Sequence, residues 1–417
     1  MSVVPKAATT TSSSKIPSDI ASLTRFCHVE SLFASSEDGE VVFDVVRSGS
    51  ATDGNTQFLS SADDSEGSKN EILPNGVSLS NWLPSKWSKK EWFVSVRLSK
   101  LSNALCFGGL INKTFPNWHE SGQLVLTERK RLVDASYGVW NGERLLPRDL
   151  LSRNPDGSFD LKREPSGEHL KGDYLLIGNM QPHFGHTILE GLSRLWPLHQ
   201  QIDLPLDVKF LVYEPVLADF QRELLKRSGV DLSRIFHVPR EGVSVERLWI
   251  ADPSIRSHRW ISRLQSDVWR AISDSVFTGE PERMTYLSRS NIAERPLTNE
   301  CEIEALFQHH GFDIVCPETL SLEEQIRIAA ESRCIAGPVG SQMYLAAFQK
   351  AGALKIVLAP RNFYAKDDQL ISSVTSVLCE VIFGSEIDHF AERQNRRWTI
   401  ESDDVAKILK RIMQQAC

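Results

Sequence analysis

The chain has 417 residues, of which 41% are hydrophobic, and this is enough for two globular domains with packed cores. Its 47 Lys and Arg residues are outnumbered by 54 Asp and Glu residues, so the net charge of −7 argues against a nucleic-acid-binding protein. The seven cysteines are scattered singly, which argues against a disulfide scaffold or a zinc ribbon.

The first part of the chain alternates between polar segments and short β-prone runs. Residues 1–25 are rich in Ser, Thr, Ala and Pro, which predicts a flexible tail, and residues 48–75 predict a long loop or linker. The runs EVVFDVV, EWFVSVRLS, NALCFGGLINK and GQLVLTE predict strands. We therefore expect a β-rich start to a domain that spans residues 26–275.

After Asp173 the pattern changes to alternating strands and helices. YLLIGN, VKFLVYE, RIFHV and ERLWIA predict strands, whereas HTILEGLSRLWPLHQQ and VLADFQRELLKRSG predict helices. Alternation at this spacing is typical of a parallel sheet with helical crossovers.

A second alternating series runs from about residue 280 to 387. It begins with the strand MTYLS, and Asn299 and Ser321 are each followed three residues later by a glutamate, as at helix N-termini. The order β-α-β-α-β-α-β-α-β predicts an independent Rossmann-like domain, followed by a helical tail over residues 388–417. Two such domains predict an α/β protein with a cleft facing the C-terminal edges of both sheets.

The segment HFGHTILEGLSRLW, residues 183–196, follows a predicted strand end and concentrates polar residues. At 100° per residue, His186, Glu190 and Arg194 form one stripe opposite an apolar face. Three interpretations are open: a solvated helix face with a Glu–Arg pair, a zinc site using His183, His186 and Glu190, or a catalytic base at His186 or Glu190. The zinc interpretation lacks a recognisable further ligand.

Two further segments are candidates for binding an anion. In YLSRSNIAERPLTNE, Arg289 and Arg295 bracket a loop at a strand end, where two guanidinium groups and a helix N-terminus could hold a diphosphate. In CIAGPVGSQMYLAAF, a strand runs into Gly337, Gly340 and Ser341, where the backbone could approach a ligand. Solvated arginines and glycines kept for packing are the ordinary alternatives.

The segments GNMQPHFGHTILEGLSRLW and TYLSRSNIAERPLTNECEIEALFQHHGFDIVCPETLSLEEQIRIAAESRCIAGPVGSQMYLAAF resemble glycosyltransferase family 61. The similarity runs from roughly residue 103 to 384. Its most specific parts are the His-x-x-x-Glu helix, the Arg…Arg-x-x-x-Asn-Glu segment and the phrase around Pro-Glu-x-Leu-Ser-Leu-x-Glu-Gln.

The resemblance implies a GT-B fold, a nucleotide-sugar donor held by the C-terminal domain, inversion at the anomeric carbon and no obligatory metal or other cofactor. Arg289 and Arg295 would bind the donor diphosphate, with Asn299 and Glu300 in the donor site. His183, His186, Glu190 and Arg194 would line the acceptor side, with His186 or Glu190 as the base.

One departure from the family pattern bears on activity. The family's glycine-rich segment usually has a histidine where this chain has Val339. The leading hypothesis is an inverting glycosyltransferase that uses a uridine-type nucleotide sugar to extend a saccharide in polysaccharide biosynthesis. The alternative is a catalytically degenerate protein that binds a saccharide or nucleotide sugar; an epimerase-type enzyme is disfavoured because no dinucleotide fingerprint is present.

The expected partners are a nucleotide-sugar donor and a saccharide acceptor, without nucleic acid. No run approaches ~18 apolar residues, and no secretory hydrophobic segment opens the sequence. We therefore expect a cytoplasmic protein without a transmembrane segment, and the resemblance leaves open a lipid-linked acceptor reached by peripheral membrane association.

Overall fold

The computed structural model describes the chain in several stretches. They comprise residues 40–50, 56–59, 91–110 and 122–415, the last with gaps at 129, 131–132, 134–138, 141–142, 145–149, 154–158, 179, 214–215, 258–259, 362–366 and 389–394. The predicted tail over residues 1–25 lies outside the described residues. The bounds of the other predicted domains stay predictions.

The first sheet has seven strands and is mixed. Its strands are β1 (Glu40–Ser50), β3 (Glu91–Leu110), β4 (Gly122–Leu126), β9 (His169–Gly178), β10 (Lys209–Val212), β11 (Ile235–His237) and β12 (Val243–Ala251). The order is β1-β3-β12-β9-β10-β11, with β4 beside β3. β12, β9, β10 and β11 are mutually parallel, as the alternating pattern predicts, whereas β3 pairs antiparallel with β1, β4 and β12.

The second sheet also has seven strands. They are β2 (Thr56–Leu59), β15 (Arg283–Leu287), β16 (Asp313–Val315), β17 (Ser332–Pro338), β18 (Leu354–Pro360), β19 (Leu378–Glu386) and β20 (Trp398–Thr399). The order β16-β15-β17-β18-β19-β2 is parallel throughout, and β20 lies antiparallel to β19. Strands β15 to β19 in this arrangement have a doubly wound order, as predicted for residues 280–387.

Short hairpins and seven α-helices are further elements of the described structure. The hairpin strands are β5 (Val139–Trp140), β6 (Glu143–Arg144), β7 (Leu151–Arg153), β8 (Phe159–Leu161), β13 (Ile255–Arg256) and β14 (Trp260–Ile261). The helices are α1 (Phe184–His186), α2 (Asp219–Arg227), α3 (Leu264–Asp274), α4 (Glu300–His309), α5 (Leu322–Glu331), α6 (Asp367–Thr375) and α7 (Ser402–Gln415). The capping box predicted at Ser321 and Glu324 opens α5.

One hydrophobic core reaches both sheets. It includes Leu175 and Ile177 of β9 together with Ile335 of β17 and Val357 of β18. Helix α3 contributes Trp269 and three aliphatic side chains, from Leu264, Val268 and Ile272, to the same core. The carboxyl ends of β9 and β12 and those of β15 and β17 are therefore held by one packed interior.

Three predictions about individual elements are wrong, and one helix was not predicted. The long helix expected after β9 is instead α1, a π-helical turn Thr187–Gly191 and a 3₁₀ helix Trp196–His199. The segment SQMYLAAF forms a 3₁₀ helix, Ser341–Phe348. Thr56–Leu59, expected in a linker, pairs with β19, and α3 was not anticipated.

The described helices are short or polar. None of them combines the length and the apolar character that crossing a membrane requires.

A buried ion pair lies in the second sheet. Lys355 of β18 and Asp368 of α6 are both fully buried, and the ammonium donates to the carboxylate at 3.2 Å and to the Asp368 carbonyl oxygen at 2.7 Å. Burial raises the pKa of Asp368, and the charge of Lys355 opposes that shift. The carboxylate therefore depends on its partner to remain charged.

We expect Lys355→Met to lower the free energy of unfolding by about 3–5 kcal/mol, because it leaves a buried carboxylate without its cation. The matched control is Lys350→Met, since Lys350 forms a partly exposed pair with Asp274 at 2.6 Å. That change should cost about 1 kcal/mol or less. Urea unfolding followed by circular dichroism measures both, and equal losses in the two variants would contradict the prediction.

Candidate active site

The turn that carries the two histidines, residues 183–191, begins beyond the end of β9. His183 caps it by accepting the backbone N–H of His186 at 3.4 Å. The chain then widens into the π turn, in which the N–H of Leu192 donates to the Thr187 oxygen five residues back at 3.1 Å. In this turn, the histidine turn, His186 Nδ1 lies 2.8 Å from Glu190 Oε2. The predicted proximity of these two residues is present.

The carboxylate of Glu190 is set for the charged form. Its side chain keeps 37% of its surface exposed, so it combines a crowded inner side with access from solvent. Burial acts to raise its pKa, but the hydrogen bond and charge of His186, with Ser257 and Arg256 close by, outweigh burial and lower the pKa. A charged Glu190 accepts a hydrogen bond from the N–H of His186 Nδ1, and in that tautomer the unprotonated, basic nitrogen of the imidazole is Nε2.

Arg194 does not extend the predicted stripe. The wider π turn changes the angular position of the residues that follow, and Arg194 is only 6% exposed. Its guanidinium donates to the carbonyl oxygen of Ala251 at the end of β12. Burial lowers its pKa to about 10, with Asp252 acting in the opposite direction. The helix-face interpretation is therefore wrong for Arg194, and its acceptor-side role stays a prediction.

A fully buried side chain of α2 holds the histidine turn from below. Gln221 Nε2 donates to the carbonyl oxygens of Met180 at 2.6 Å and Gln181 at 2.9 Å. The hydroxyl of Thr187 also donates to the Gln181 oxygen at 2.9 Å. The loop that leaves β9 thus has its buried carbonyls satisfied, which fixes its path toward His186.

The arginine loop, residues 288–297, leaves the carboxyl end of β15. Arg289 is 8% exposed, and its guanidinium donates to Gln342 Oε1 at 3.0 Å and to the Glu294 carbonyl oxygen at 3.0 Å. Burial and the charge of Arg295 lower its pKa, while Glu300 and other carboxylates act in the opposite direction. Arg295 itself adopts the left-handed region at φ 50°, a strained conformation for this residue type.

The two predicted donor residues at the start of α4 differ in position. Glu300 is 4% exposed, and its Oε1 accepts the backbone N–H of Arg289 at 2.6 Å, which places it directly beneath the arginine loop. Asn299 faces the C-terminal segment instead, where its Oδ1 accepts from Thr399 Oγ1 at 3.0 Å and its Nδ2 donates to the Ile400 oxygen at 2.8 Å. Its donor role stays a prediction.

The glycines of the segment 337–341 are needed for close packing. A Cβ at Gly337 would lie 2.6 Å from the Leu287 carbonyl oxygen, and one at Gly340 would lie 2.4 Å from Arg289 Nη1. Both glycines therefore allow the second sheet to bring β15, β17 and the arginine loop together. Val339 is 3% exposed and packs in the hydrophobic core, so it offers no polar group at this position.

The three segments singled out from the sequence meet in space. A Cβ at Gly185 of the histidine turn would lie 3.0 Å from both Ser341 Cβ and Tyr344 Cε2. The pKa of His183 is lowered by partial burial and by His186, and it also responds to the charges of Glu294 and Arg295. The His186–Glu190 pair therefore lies beside the arginine loop and the start of the Ser341–Phe348 helix.

Sequence reasoning missed several residues of this site. Gln342 and Tyr344 lie in a stretch that predicts an ordinary helix, and Tyr344 donates to Asp367 Oδ2 at 3.3 Å. Arg256 and Ser257 approach Glu190 from the hairpin of β13 and β14. Gln221 lies within a predicted helix. The sequence gives only a weak indication of these residues, because a single polar residue in an apolar segment is common. Only their position near strand ends could have indicated a role in the site.

The geometry bears on the zinc interpretation. In the part of the chain that the structure describes, no three His, Cys, Asp or Glu side chains form a group that could hold a metal ion. His186 Nδ1 instead lies 2.8 Å from the Glu190 carboxylate.

The described features define the class of protein. A mixed α/β frame presents a His–Glu pair and a buried arginine at neighbouring strand ends, an arrangement suited to group transfer onto a hydroxyl. Residues 184–357 match the family model described as Glycosyltransferase 61, so the family predicted from the sequence is confirmed over that segment. The family indicates a glycosyltransferase that acts on saccharide substrates. No curated protein matches the sequence.

Glu300 makes stability depend on pH in a defined direction. Burial raises its pKa to about 7, opposed by the Arg289 N–H and reinforced by Glu304 and Glu318. The folded-state pKa lies above the unfolded value, so the stabilisation is full below about pH 4.5 and is lost as the pH rises through about 7.

We therefore expect the wild-type protein to lose at most about 3 kcal/mol of unfolding free energy between pH 4.5 and pH 8 through this group. Glu300→Gln should flatten that part of the profile. The exposed Glu282→Gln is the matched control. Urea unfolding at a series of pH values provides the test, and an unchanged slope in Glu300→Gln would contradict the assignment.

Proposed function

We propose that the protein is an inverting, metal-independent glycosyltransferase that transfers a sugar from a nucleotide-sugar donor, a UDP-sugar, to a saccharide acceptor in polysaccharide biosynthesis. In this proposal the two sheets face each other in a GT-B arrangement, the donor binds at the ends of β15 and β17, and the acceptor binds near the ends of β9 and β12. The cytoplasmic location, and an acceptor that is lipid-linked and reached by peripheral membrane association, belong to the same proposal.

The observation that carries the proposal is the hydrogen-bonded pair of His186 and Glu190 beside the arginine loop. Glu190 accepts a hydrogen bond from Nδ1–H, and in this tautomer the unprotonated Nε2 acts as the base. The acceptor hydroxyl gives its proton to Nε2, and its oxygen attacks the anomeric carbon as the bond to the diphosphate oxygen breaks. Attack opposite the leaving group inverts the anomeric configuration.

The leaving diphosphate requires positive charge, because the electron pair of the broken bond goes to its oxygen. Arg289 and Arg295 supply two guanidinium groups on one loop, at the edge of the parallel sheet where ligands of this architecture bind. The first turn of α4 and the backbone near Gly340 and Ser341 lie in the same region. Arginine suits this task because its planar N–H groups match phosphate geometry.

One observation favours the alternative, a degenerate member that binds a nucleotide sugar or saccharide without transferring it. Val339 is buried in the core at the position where the family pattern has a histidine. An imidazole there could hydrogen-bond near the leaving group, and valine cannot. The alternative therefore predicts binding without turnover.

A donor panel separates the two functions. We expect the protein, incubated with EDTA, to release a nucleoside diphosphate from one nucleotide sugar when an oligosaccharide acceptor is present, and to gain thermal stability with that donor. A thermal shift without release for any donor and acceptor would support the degenerate alternative. Release that requires added Mg²⁺ or Mn²⁺ would contradict metal independence, and the lack of any shift or release would overturn both functions.

Variants of the pair test the base. We expect His186→Ala to lower kcat by about 10²-fold or more, because it removes the proton acceptor. Glu190→Gln should lower kcat with KM nearly unchanged, since an amide can hold the imidazole in the wrong tautomer. The exposed Glu282→Gln serves as the control. Turnover by His186→Ala equal to that of the wild type would remove His186 as the base.

A further inference from the structure

The arginine proposed to bind the donor diphosphate is held by a residue outside its own loop. We propose that Gln342 is a positioning residue that orients the Arg289 guanidinium toward the diphosphate of the donor. This inference rests on the proposed function and assigns a role to a residue that the sequence patterns do not single out.

Gln342 forms hydrogen bonds with two different segments. Its Oε1 accepts from Arg289 Nη1 at 3.0 Å, and its Nε2 donates to the Pro338 carbonyl oxygen at 2.5 Å. The amide therefore joins the end of β17 to a side chain from the loop after β15. Gln342 is 8% exposed, so these hydrogen bonds are shielded from competing water.

The second terminal nitrogen of the Arg289 guanidinium is also held. Arg289 Nη2 donates to the Glu294 carbonyl oxygen at 3.0 Å, so two acceptors on different elements fix both terminal nitrogens. Both acceptors are neutral oxygens. These contacts orient the guanidinium, and no carboxylate at these two positions offsets its positive charge. Its other N–H groups can then bind an anion.

The hydrogen bond between Arg289 and Gln342 needs the space beside Gly340. A Cβ at Gly340 would lie 2.4 Å from Arg289 Nη1 and 2.4 Å from Gln342 Oε1, which is shorter than any normal contact. Glycine at 340 therefore makes room for this particular hydrogen bond. Arg289, Gly340 and Gln342 therefore form one unit, in which the glycine leaves space for the hydrogen bond between the other two residues.

The consequence is preorganisation. A free arginine loses rotamer freedom when it grips a phosphate, which weakens binding. An arginine already held by folding avoids that loss, and its direction is set before the donor arrives. The amide also supplies polar character to a turn in which Val339 faces the core.

The test compares nucleotide affinities of the full-length protein by isothermal titration calorimetry. Wild type is titrated with uridine, guanosine, adenosine, cytidine and thymidine diphosphates, and then with the nucleoside of the diphosphate that binds. We expect Gln342→Met to weaken binding of the diphosphate about tenfold and to leave binding of the nucleoside unchanged. A merely structural fault would weaken both.

The matched control is Gln349→Met, which makes the same change directly after the same 3₁₀ helix. Gln349 is buried, but its amide donates to Ser332 and Leu354 oxygens and lies away from Arg289. We expect it to keep wild-type affinity for the diphosphate. Gly340→Ala is a second variant of the same unit. It should also weaken binding of the diphosphate and not of the nucleoside, which keeps the test decisive if Gln342→Met folds poorly.

A double-mutant comparison completes the experiment. In an Arg289→Ala background, Gln342→Met should cause no further loss, because the two residues act as a unit. If Arg289→Ala weakens binding of the diphosphate but Gln342→Met and Gly340→Ala bind it with wild-type affinity, the inference is overturned and the proposed function stands. If the wild-type protein binds no diphosphate of the panel, both are overturned.

Discussion

The structure depends on the close approach of the histidine turn to the start of the Ser341–Phe348 helix. Gly185 has no side chain, and the space that a Cβ would need is occupied by Ser341 and Tyr344. This contact joins the loop after β9 in the first sheet to the segment after β17 in the second. Because of it, the His186–Glu190 pair and the arginine loop share one site.

Around this contact, several buried polar groups have hydrogen-bond partners that hold the loops in place. Gln221 binds the carbonyls below the histidine turn, and Glu300 accepts the backbone N–H of Arg289. Unsatisfied, such groups would destabilise a packed interior, but with partners they make one loop conformation preferable to its alternatives. The same hydrogen bonds that satisfy the interior therefore determine where the reactive groups point.

Much of the frame was predictable from the sequence, because burial imposes periodicity. The succession of strands and helices from β15 to β19 and the cap of α5 follow from apolar runs and from Ser321 with Glu324. Helix α3 was not predicted, although Leu264, Val268 and Ile272 at four-residue spacing indicate a helix with one buried face. The π turn was not predictable, because a window of sequence does not show the tertiary contacts that widen a helical turn.

The candidate site was predictable in its parts and not in its connections. Local patterns placed His186, Glu190 and Arg289 at strand ends, and the structure brings their segments together. The partners of those residues come from distant positions, such as Gln342 for Arg289 and Arg256 beside Glu190. A sequence pattern cannot reveal that pairing, because it depends on how two sheets pack. Arg194 shows the opposite case, a polar residue whose spacing suggested the surface but whose partners lie inside.

The single core that reaches both sheets also constrains how substrates enter. Leu175 and Ile177 share an interior with Ile335 and Val357, so the sheets cannot part without exposing apolar surface to water. Opening by a wide swing of one sheet against the other would carry a large free-energy cost. Under the proposed function, we expect substrates to enter through local loop motion, so that ligand-binding energy goes toward aligning the reacting atoms instead of closing a hinge.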